Sequence, residues 1–355
     1  MGFYYEKVLR PILFRKDAEK AHEIGVRALG ILSRVRPVCR LMERCNGHID
    51  GVEPIELFGV KFPNPVGLAA GMDKDARVWR SMPALGFGFA EIGTVTFHKQ
   101  PGNEKPRLFR LRSEEAIINR MGFNNDGAEE VAARLKQDGA HQDRPLPLGI
   151  NLGKSKVTPL SDAASDYIGS FQLLADYADY FTINVSSPNT PELRKLQGSA
   201  YLPELLGEIT KANAARSKKL GSRPKPILLK IAPDLSFQEI DDVLQTISDV
   251  GLDGIIATNT TIVRPGPISK SNEAGGLSGR PLHHRSVDVV KYISRATEGK
   301  LPIIGVGGID DPASAGRMMD VGAHLIQVYT GLIYRGPFLA KKLNRALAAQ
   351  QREWI

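Results

Sequence analysis

The chain has 355 residues, of which 42% are hydrophobic and 24% charged, a composition typical of a globular protein and not of a disordered one. No apolar run reaches the roughly 18 to 20 residues that a spanning helix needs, and the N-terminus lacks the apolar core of a signal peptide, so we expect the body of the protein in the cytosol. Cys39 and Cys45 are the only cysteines and the seven histidines are scattered, which indicates neither a disulfide framework nor a metal site.

The formal net charge of +8 is unevenly distributed. Residues 1–46 hold ten Lys or Arg and five Asp or Glu, so +5 of the total lies in the first eighth of the chain and +3 in everything else. A basic balance can indicate nucleic-acid binding, but its distribution matters more than its size. This distribution points to a role for the N-terminal segment, and we expect no nucleic-acid partner.

The N-terminal segment, residues 1–46, predicts two helices. The first runs from Phe3 to about Arg10 and is limited or kinked by Pro11, and a longer one begins after the N-cap candidate Asp17. The longer helix is amphipathic and basic, since its apolar residues recur at helical spacing and its Lys and Arg lie off that stripe. Such a stripe can pack on the protein's own core or lie in a membrane interface, and the pattern leaves both open.

Residues 47–355 predict an α/β barrel. After a small hairpin at 55–62, seven helix-sized stretches separate eight strand candidates, and a last helix follows at about 337–350. Eight βα units in about 300 residues favour a (β/α)8 TIM barrel over a doubly wound sheet, since no G-x-G-x-x-G follows the first strand. The strand candidates are 66–70, 89–95, 146–151, 180–185, 227–232, 254–259, 302–307 and 325–329.

Polar side chains follow these strands at one end. At 184–190, NVSSPNT places amides, hydroxyls and a proline directly after the apolar run 180–185. A turn that holds its own backbone explains one such cluster, but Lys, Asn or Thr at six successive strand ends indicates a ligand with many polar edges, because barrel active sites lie at the C-terminal ends of strands. Two connections, 96–125 and 260–283, are too long for simple loops and are expected to cover or line this site.

Glycines follow the last two strands, at Gly307-Gly308 and at Gly331 after Thr330, and GGLSG occupies 275–279. Barrels hold phosphates with backbone N–H groups at this position, although ordinary glycine turns would look the same. Lys74 and Lys230 would be costly in a barrel mouth without negative charge nearby. For each lysine, a bound anion and a simple salt bridge both remain open.

Several motifs carry a resemblance to one family over the whole chain. They are AAGMDK at 69–74, NRMGF at 119–123, NVSSPNT at 184–190, KIAPD at 230–234, TNT at 258–260, GGLSG at 275–279, GVGGI at 305–309 and Tyr329. In this order, and with basic helices before them, they closely resemble the class 2, quinone-dependent dihydroorotate dehydrogenases. The departures are mild, since Met72 stands where Leu or Phe is more usual and Thr330 where Ser is common.

The resemblance implies an FMN enzyme of de novo pyrimidine (UMP) synthesis that oxidises (S)-dihydroorotate to orotate and passes the electrons to a membrane quinone. It implies that Lys230 stabilises negative charge on the flavin. The residues implied to bind FMN are Ala70, Gly71, Met72, Asp73, Lys74, Thr94, Asn151, Asn184, Lys230, Thr258, Gly279, Gly308, Tyr329 and Thr330. Those implied to bind dihydroorotate or orotate are Lys74, Asn119, Arg120, Met121, Gly122, Phe123, Asn184, Asn189, Asn259 and Thr260.

The family's proton acceptor corresponds to Ser187, which would take the proton from ring carbon 5 while a hydride leaves carbon 6. A serine hydroxyl is a poor base at neutral pH, so its proton must pass onward, through Thr190 or water. Class 1 relatives carry cysteine here, so the serine points to class 2. Ser186 is the neighbouring alternative, but successive residues of an extended chain face opposite ways and only one of the two should face the ligand.

The resemblance also gives the N-terminal segment a role. In class 2 the two helices form a hydrophobic tunnel for quinone, which implies peripheral attachment to the membrane surface at the cytoplasmic face of the cell membrane. His22 and Arg110 occupy positions that line this tunnel in relatives.

Two other functions remain as alternatives. An FMN-dependent dihydrouridine synthase acting on RNA would fit the basic charge, but it should carry a catalytic cysteine in the barrel mouth, and both cysteines precede the barrel. A non-catalytic membrane-surface scaffold would leave the polar strand ends without a purpose.

Overall fold

The structure is a computed structural model that describes residues 2–47, 51–198 and 200–353. The chain begins with a group of helices that we call the N-terminal helices. They comprise α1 (Gly2–Tyr4), a π-helical turn (Tyr5–Leu9), α2 (Arg10–Phe14), α3 (Ala18–Arg34) and α4 (Arg36–Asn46).

The predicted boundaries of these helices are partly confirmed. Asp17 caps α3, because its carboxylate accepts hydrogen bonds from the backbone N–H groups of Glu19 and Lys20 at 3.1 and 3.0 Å. Pro11 does not end the first helix, since it stands in the first turn of α2, where a missing N–H is tolerated, and the chain stays helical to Phe14. The prediction of only two helices was wrong, because the chain turns at Val35 and continues as the separate helix α4.

Eight parallel strands close into a barrel in which they follow one another in chain order, and the last of them pairs with the first. All eight strand candidates and the hairpin at 55–62 are therefore confirmed, with ends that differ by at most two residues. The strands are β1 (Ile55–Leu57), β2 (Val60–Phe62), β3 (Val66–Leu68), β4 (Phe89–Val95), β5 (Leu108–Leu111), β6 (Ala116–Asn119), β7 (Leu148–Leu152), β8 (Tyr180–Asn184), β9 (Ile227–Ile231), β10 (Gly254–Ala257), β11 (Gly276–Gly279), β12 (Ile303–Val306) and β13 (Leu325–Val328).

Helices surround the barrel, as the α/β pattern predicts. They are α5 (Ala128–Gln137), α6 (Ala163–Leu174), α7 (Leu202–Leu220), α8 (Phe237–Val250), α9 (His283–Ala296), α10 (Pro312–Asp320), α11 (Thr330–Arg335) and α12 (Leu339–Glu353). The connection from β3 to β4 differs from the prediction, because it holds only two 3₁₀ turns, Trp79–Ser81 and Pro83–Leu85. Helix α4 packs beside these turns, and Asn46 Nδ2 donates to the Ala84 carbonyl at 2.8 Å.

The two long connections meet in one small antiparallel sheet, in which β6 pairs with β5 on one side and with β11 on the other. Strand β11 comes from the connection after β10, and an isolated bridge between Thr261 and Leu277 ties it to that strand's end. The sheet thus joins two segments that are about 160 residues apart in sequence, Asn119 and Gly276 being directly paired. These connections bring residues 119–123 and 278–279 to the mouth of the barrel.

The barrel interior is closed at the N-terminal ends of the strands and open at the other end. Phe62 of the hairpin is fully buried and packs edge-on against Phe89 at a centroid distance of 5.2 Å. Leu228, Ile256 and Ile304 belong to the same apolar cluster. This plug leaves the C-terminal ends of the strands as the only end of the described barrel that can receive a ligand in its interior.

Candidate active site

A cavity lies at the C-terminal ends of the barrel strands, with about 1040 Å³ of empty space including the part open to solvent. It brings together residues that the sequence places far apart, from the ends of the strands and from the small sheet. The predicted site residues that line it are Ala70, Gly71, Lys74, Thr94, Asn119, Met121, Gly122, Phe123, Asn184, Ser187, Asn189, Lys230, Thr258, Asn259, Thr260, Gly279, Gly308, Tyr329 and Thr330.

One wall of this cavity is a close-packed glycine cradle formed by Gly279, Gly307 and Gly308. A Cβ atom on Gly308 would lie 2.7 Å from the Gly279 carbonyl oxygen and 2.7 Å from the Cβ of His283. The hydroxyl groups of Thr330 and Ser278 are hydrogen-bonded to each other at 2.8 Å beside the cradle. The backbone here can approach a ligand closely because no side chain stands in the way.

Asn184 is the centre of a network at the end of β8. Its Nδ2 donates to the Thr94 hydroxyl at 3.0 Å and to Asn151 Oδ1 at 3.1 Å. Its Oδ1 accepts from the backbone and hydroxyl of Ser186 at 3.2 and 3.1 Å and from Asn259 Nδ2 at 3.3 Å. The amide of Asn184 is therefore held by side chains at the ends of three other strands, β4, β7 and β10.

The two serines of the loop formed by residues 184–190, which we call the 184–190 loop, face different surroundings. Ser187 lines the cavity, and its hydroxyl oxygen accepts from the backbone N–H of Asn189 at 3.2 Å. Ser186 is fully buried beneath the loop and bonds to Asn184 and Asn259. The hydroxyl of Thr190 is buried without a hydrogen-bond partner among the described residues.

Amide side chains from the 184–190 loop and the small sheet meet at the cavity. Asn189 Nδ2 donates to Asn119 Oδ1 at 3.2 Å, and Asn259 Nδ2 donates to Ser186 Oγ at 2.9 Å. Asparagine can both donate and accept hydrogen bonds. This part of the wall can therefore match a ring whose edge alternates N–H and C=O groups.

Two lysines face the cavity from opposite strand ends. Burial lowers the pKa of Lys74 to about 8, against the opposing charges of Asp75 and Glu19. Burial also lowers the pKa of Lys230, and the carboxylate of Glu91, 3.8 Å away, opposes that shift. Both ammonium groups stand where an anion would stabilise their charge.

Glu91 is a functional candidate that the sequence-based prediction did not include, because it stands within β4 and not at the strand's C-terminal end. The signal was present, since a carboxylate interrupts the otherwise uncharged run FAEIGTV. Its side chain is fully buried inside the barrel. A charge at such a position needs partners, so it marks an internal polar network.

Four predicted site residues do not line the cavity, and their roles stay predictions. Met72 belongs to the hydrophobic core, and the Asp73 carboxylate accepts from the backbone of residues 77–79. Asn151 lies one layer below the mouth, where its Oδ1 accepts from Thr94 at 2.6 Å. Arg120 points outward and pairs with Glu273 at 2.6 Å.

The two residues predicted for a quinone tunnel lie on α3 and on the small sheet, and that role stays a prediction. Burial, together with the charge of Lys74, lowers the pKa of His22 on α3 to about 3, so His22 is neutral at physiological pH. Arg110 on β5 stacks on Phe14 at 4.5 Å and donates to the Leu13 carbonyl at 3.3 Å. His22 is thus electrostatically coupled to a cavity residue, and Arg110 contacts the end of α2.

Arg194 is a second residue that the sequence did not single out. Its three nitrogens donate to the Ser186 carbonyl at 3.0 Å, to Asp234 Oδ2 at 2.8 Å and to the Thr260 carbonyl at 3.1 Å. Asp234 also accepts from the Ile262 backbone at 3.1 Å. We call this arrangement the Arg194 clamp, because it joins the 184–190 loop to the loops that follow β9 and β10.

The chain is similar to known proteins over nearly its whole length. Residues 54–350 match the family model described as dihydroorotate dehydrogenase. The chain is 50% identical to a dihydroorotate dehydrogenase (quinone) of Chloroflexus aurantiacus, with 99% of this chain and 98% of the relative covered. It is 52% identical to one from Salinispora arenicola, with 98% and 99% covered.

Solved structures agree with the sequence comparison. A crystal structure of dihydroorotate dehydrogenase from Eimeria tenella in complex with ferulenol superposes with a TM-score of 0.79 at 38% identity, and 85% of each chain is covered. The ligand-free enzyme from the same organism also gives 0.79, at 36% identity over 90% of this chain and 94% of that one. The chain therefore belongs to the quinone-dependent dihydroorotate dehydrogenases, the family that its motifs resemble.

Proposed function

We propose that the protein oxidises (S)-dihydroorotate to orotate with FMN as its cofactor and a membrane quinone as the final electron acceptor. Oxidation of dihydroorotate in pyrimidine synthesis is the activity of the family to which the chain belongs. The observation that carries the proposal is that the Ser187 hydroxyl lines the same cavity as Lys74, Lys230 and the glycine cradle. A candidate base, two lysines and the glycine cradle then line one ligand space.

The residues of the cavity fit FMN. The glycine cradle leaves backbone exposed where a phosphate would bind, and Gln327, at the cavity wall, has a buried Oε1 without a hydrogen-bond partner among the described residues. Lys230 supplies the cation that suits the pyrimidine edge of a flavin. When bound, FMN supplies an acceptor for the hydride from carbon 6 and a donor of electrons to quinone.

The chain's own groups would prepare the substrate for that transfer. Lys74 binds the substrate carboxylate, and Asn119, Asn189 and Asn259 hold the ring through its alternating N–H and C=O edge. Ser187 takes the proton from carbon 5 as the bond between carbon 6 and its hydrogen is broken. The hydroxyl of Thr190, three residues further along the chain, has no hydrogen-bond partner among the described residues and is a suitable next acceptor of the proton.

The N-terminal helices would dock on the membrane surface and admit the quinone, which implies a peripheral position at the cytoplasmic face of the cell membrane. No helix of the described residues could span a bilayer. These helices instead expose large apolar side chains, such as Phe3 at 70%, Ile31 at 65% and Leu41 at 63%. Apolar residues among basic ones suit an anionic lipid surface.

Flavin spectroscopy tests the proposed activity. The purified protein should be yellow, its flavin should bleach with dihydroorotate in the absence of oxygen, and the colour should return on adding a quinone. A colourless protein, or colour that returns only with fumarate or NAD, would contradict the proposal.

Membrane docking needs its own experiment. Replacing Ile31 and Leu41 by Glu should reduce co-sedimentation with anionic vesicles and slow reoxidation by quinone, while flavin reduction by dihydroorotate continues. Leu220→Glu is the matched control, because Leu220 is 56% exposed at the end of α7 on the barrel. Equal loss of vesicle binding in the control would contradict docking through the N-terminal helices.

A further inference from the structure

The side chain of Glu91 is the acceptor for a set of donors from several barrel strands. Its Oε1 accepts from Asn151 Nδ2 at 2.8 Å and lies 3.8 Å from the Lys230 ammonium. Its Oε2 accepts from the Thr182 hydroxyl at 3.0 Å and from Gln327 Nε2 at 3.0 Å. A buried carboxylate is tolerated when it is surrounded in this way.

Three of these partners extend to the cavity. Lys230 and Gln327 line it, and Asn151 bonds to Thr94 and Asn184, which line it as well. Glu91 itself does not line the cavity and is fully buried. Any effect of Glu91 on a bound group must therefore pass through these neighbours or through its charge.

We propose that Glu91 is a positioning residue that holds the Lys230 ammonium in place and charged beneath the cavity, and thereby raises the reduction potential of the bound flavin. The inference rests on the proposed FMN cofactor. Within the barrel interior, burial works against the charge of Lys230, and Glu91 is the acidic neighbour that opposes it. Without Glu91 the lysine would lose both its ion-pair partner and the reason to stay protonated.

The sign of the change in flavin potential separates positioning from a direct charge effect. A nearby anion disfavours adding electrons, so removing the charge of Glu91 would by itself raise the potential. Loss of the Lys230 charge lowers it, because a cation stabilises the reduced flavin. We therefore expect Glu91→Gln to lower the reduction potential of the flavin while Lys230 is present.

The experiment is a redox titration of the bound flavin against a reference dye in a double-mutant cycle. Glu91→Gln should lower the potential in the otherwise unchanged protein, and should raise it or leave it unchanged in the Lys230→Met background. Glu91→Asp keeps the charge but shortens the side chain, so the reduction potential should fall less than in Glu91→Gln. This variant replaces Glu91→Gln in the cycle if Glu91→Gln does not fold.

The results also separate this inference from the cofactor assignment. A parent protein that binds no flavin would overturn the proposed function. A yellow parent whose Glu91 variants have a raised or unchanged potential, or show the same fall with Lys230 replaced, would overturn only the role of Glu91.

Discussion

Glu19 of α3 and Arg107, just before β5, form a buried two-pronged ion pair. Arg107 Nη2 donates to Glu19 Oε1 at 2.8 Å, and Nε donates to Oε2 at 3.1 Å. Arg107 Nη1 donates to the Asn103 carbonyl at 2.8 Å, and Asn103 Nδ2 donates to the Asn189 carbonyl at 3.1 Å. The N-terminal helices are thus joined through Arg107 and Asn103 to the 184–190 loop.

We expect this ion pair to contribute strongly to stability. Removing one partner leaves an uncompensated buried charge, so Glu19→Ala should lower the free energy of unfolding by about 3 to 5 kcal/mol. Urea unfolding measures the change, and Glu208→Ala is the control. Glu208 pairs with Lys211 on the exposed face of α7, so its loss should cost at most about 0.5 kcal/mol. Equal losses would contradict the difference in burial.

The same pair predicts a dependence of stability on acid. Burial tends to raise the pKa of Glu19, but the hydrogen bonds and charge of Arg107 outweigh it and hold the pKa below its usual range. Because the pKa of Glu19 is lower in the folded state, the ion pair contributes fully to stability above the pKa of the unfolded state, about 4.3. This contribution is lost as the pH falls through the pKa of the folded state. The stability difference between the parent protein and Glu19→Gln should therefore shrink below about pH 4.

Ser187→Ala should retain the flavin and slow its reduction by dihydroorotate by about 10² to 10⁴-fold, because the base is lost while the cavity is kept. Anaerobic stopped-flow absorbance of the flavin measures the rate. Ser186→Ala removes the neighbouring hydroxyl, which supports Asn184 and Asn259 and does not line the cavity. Its loss in rate should be smaller, and the reverse order would assign the base to Ser186.

Binding of orotate should weaken as the pH rises through the pKa of Lys74, about 8. The protonated lysine attracts the carboxylate and the neutral one does not, so above that value affinity should fall up to about tenfold per pH unit. Calorimetric titration at several pH values measures the dissociation constant of orotate. Lys74→Met should bind orotate weakly, and its dissociation constant should show no inflection near pH 8. An inflection that persists in Lys74→Met would show that another group titrates.

Gly308→Ala should raise the dissociation constant of FMN by at least about tenfold, because the new Cβ fills the glycine cradle. Its backbone φ is +63°, and the Cβ would lie 2.7 Å from the Gly279 carbonyl oxygen. Gly299→Ala is the control, with φ of +69° and no atom within 4 Å of its Cβ. Both variants carry similar backbone strain, so equal flavin affinity in fluorescence titrations would argue against the cradle as a phosphate site.

Arg194→Lys should weaken the Arg194 clamp, because an ammonium cannot reproduce three donors in a planar fork. We expect a higher KM for dihydroorotate and a lower kcat, each by about tenfold, with flavin content unchanged. Lys195→Ala is the matched control, since the neighbouring Lys195 makes only an exposed pair with Glu192 among the described residues. If KM and kcat are unchanged in Arg194→Lys, the Arg194 clamp does not position the 184–190 loop for the reaction.

The sequence by itself determined the barrel and most of the cavity wall. Runs such as 180–184 and 227–231 consist mainly of apolar or β-branched residues, because parallel strands are buried on both faces. The number and order of the barrel strands could therefore be predicted from the sequence. The polar residues at their ends follow from the same rule, since parallel strands bring their C-terminal ends to one edge.

Only the tertiary structure decided which groups work together. Asn119 and Gly276 pair across a small sheet that no local pattern predicts, because strand pairing depends on the path of both connections. Ser187 rather than Ser186 faces the cavity, and Glu91 meets Lys230 only when β4 and β9 close around one interior. Propensity and periodicity are local, whereas burial and ion pairing are properties of the closed barrel.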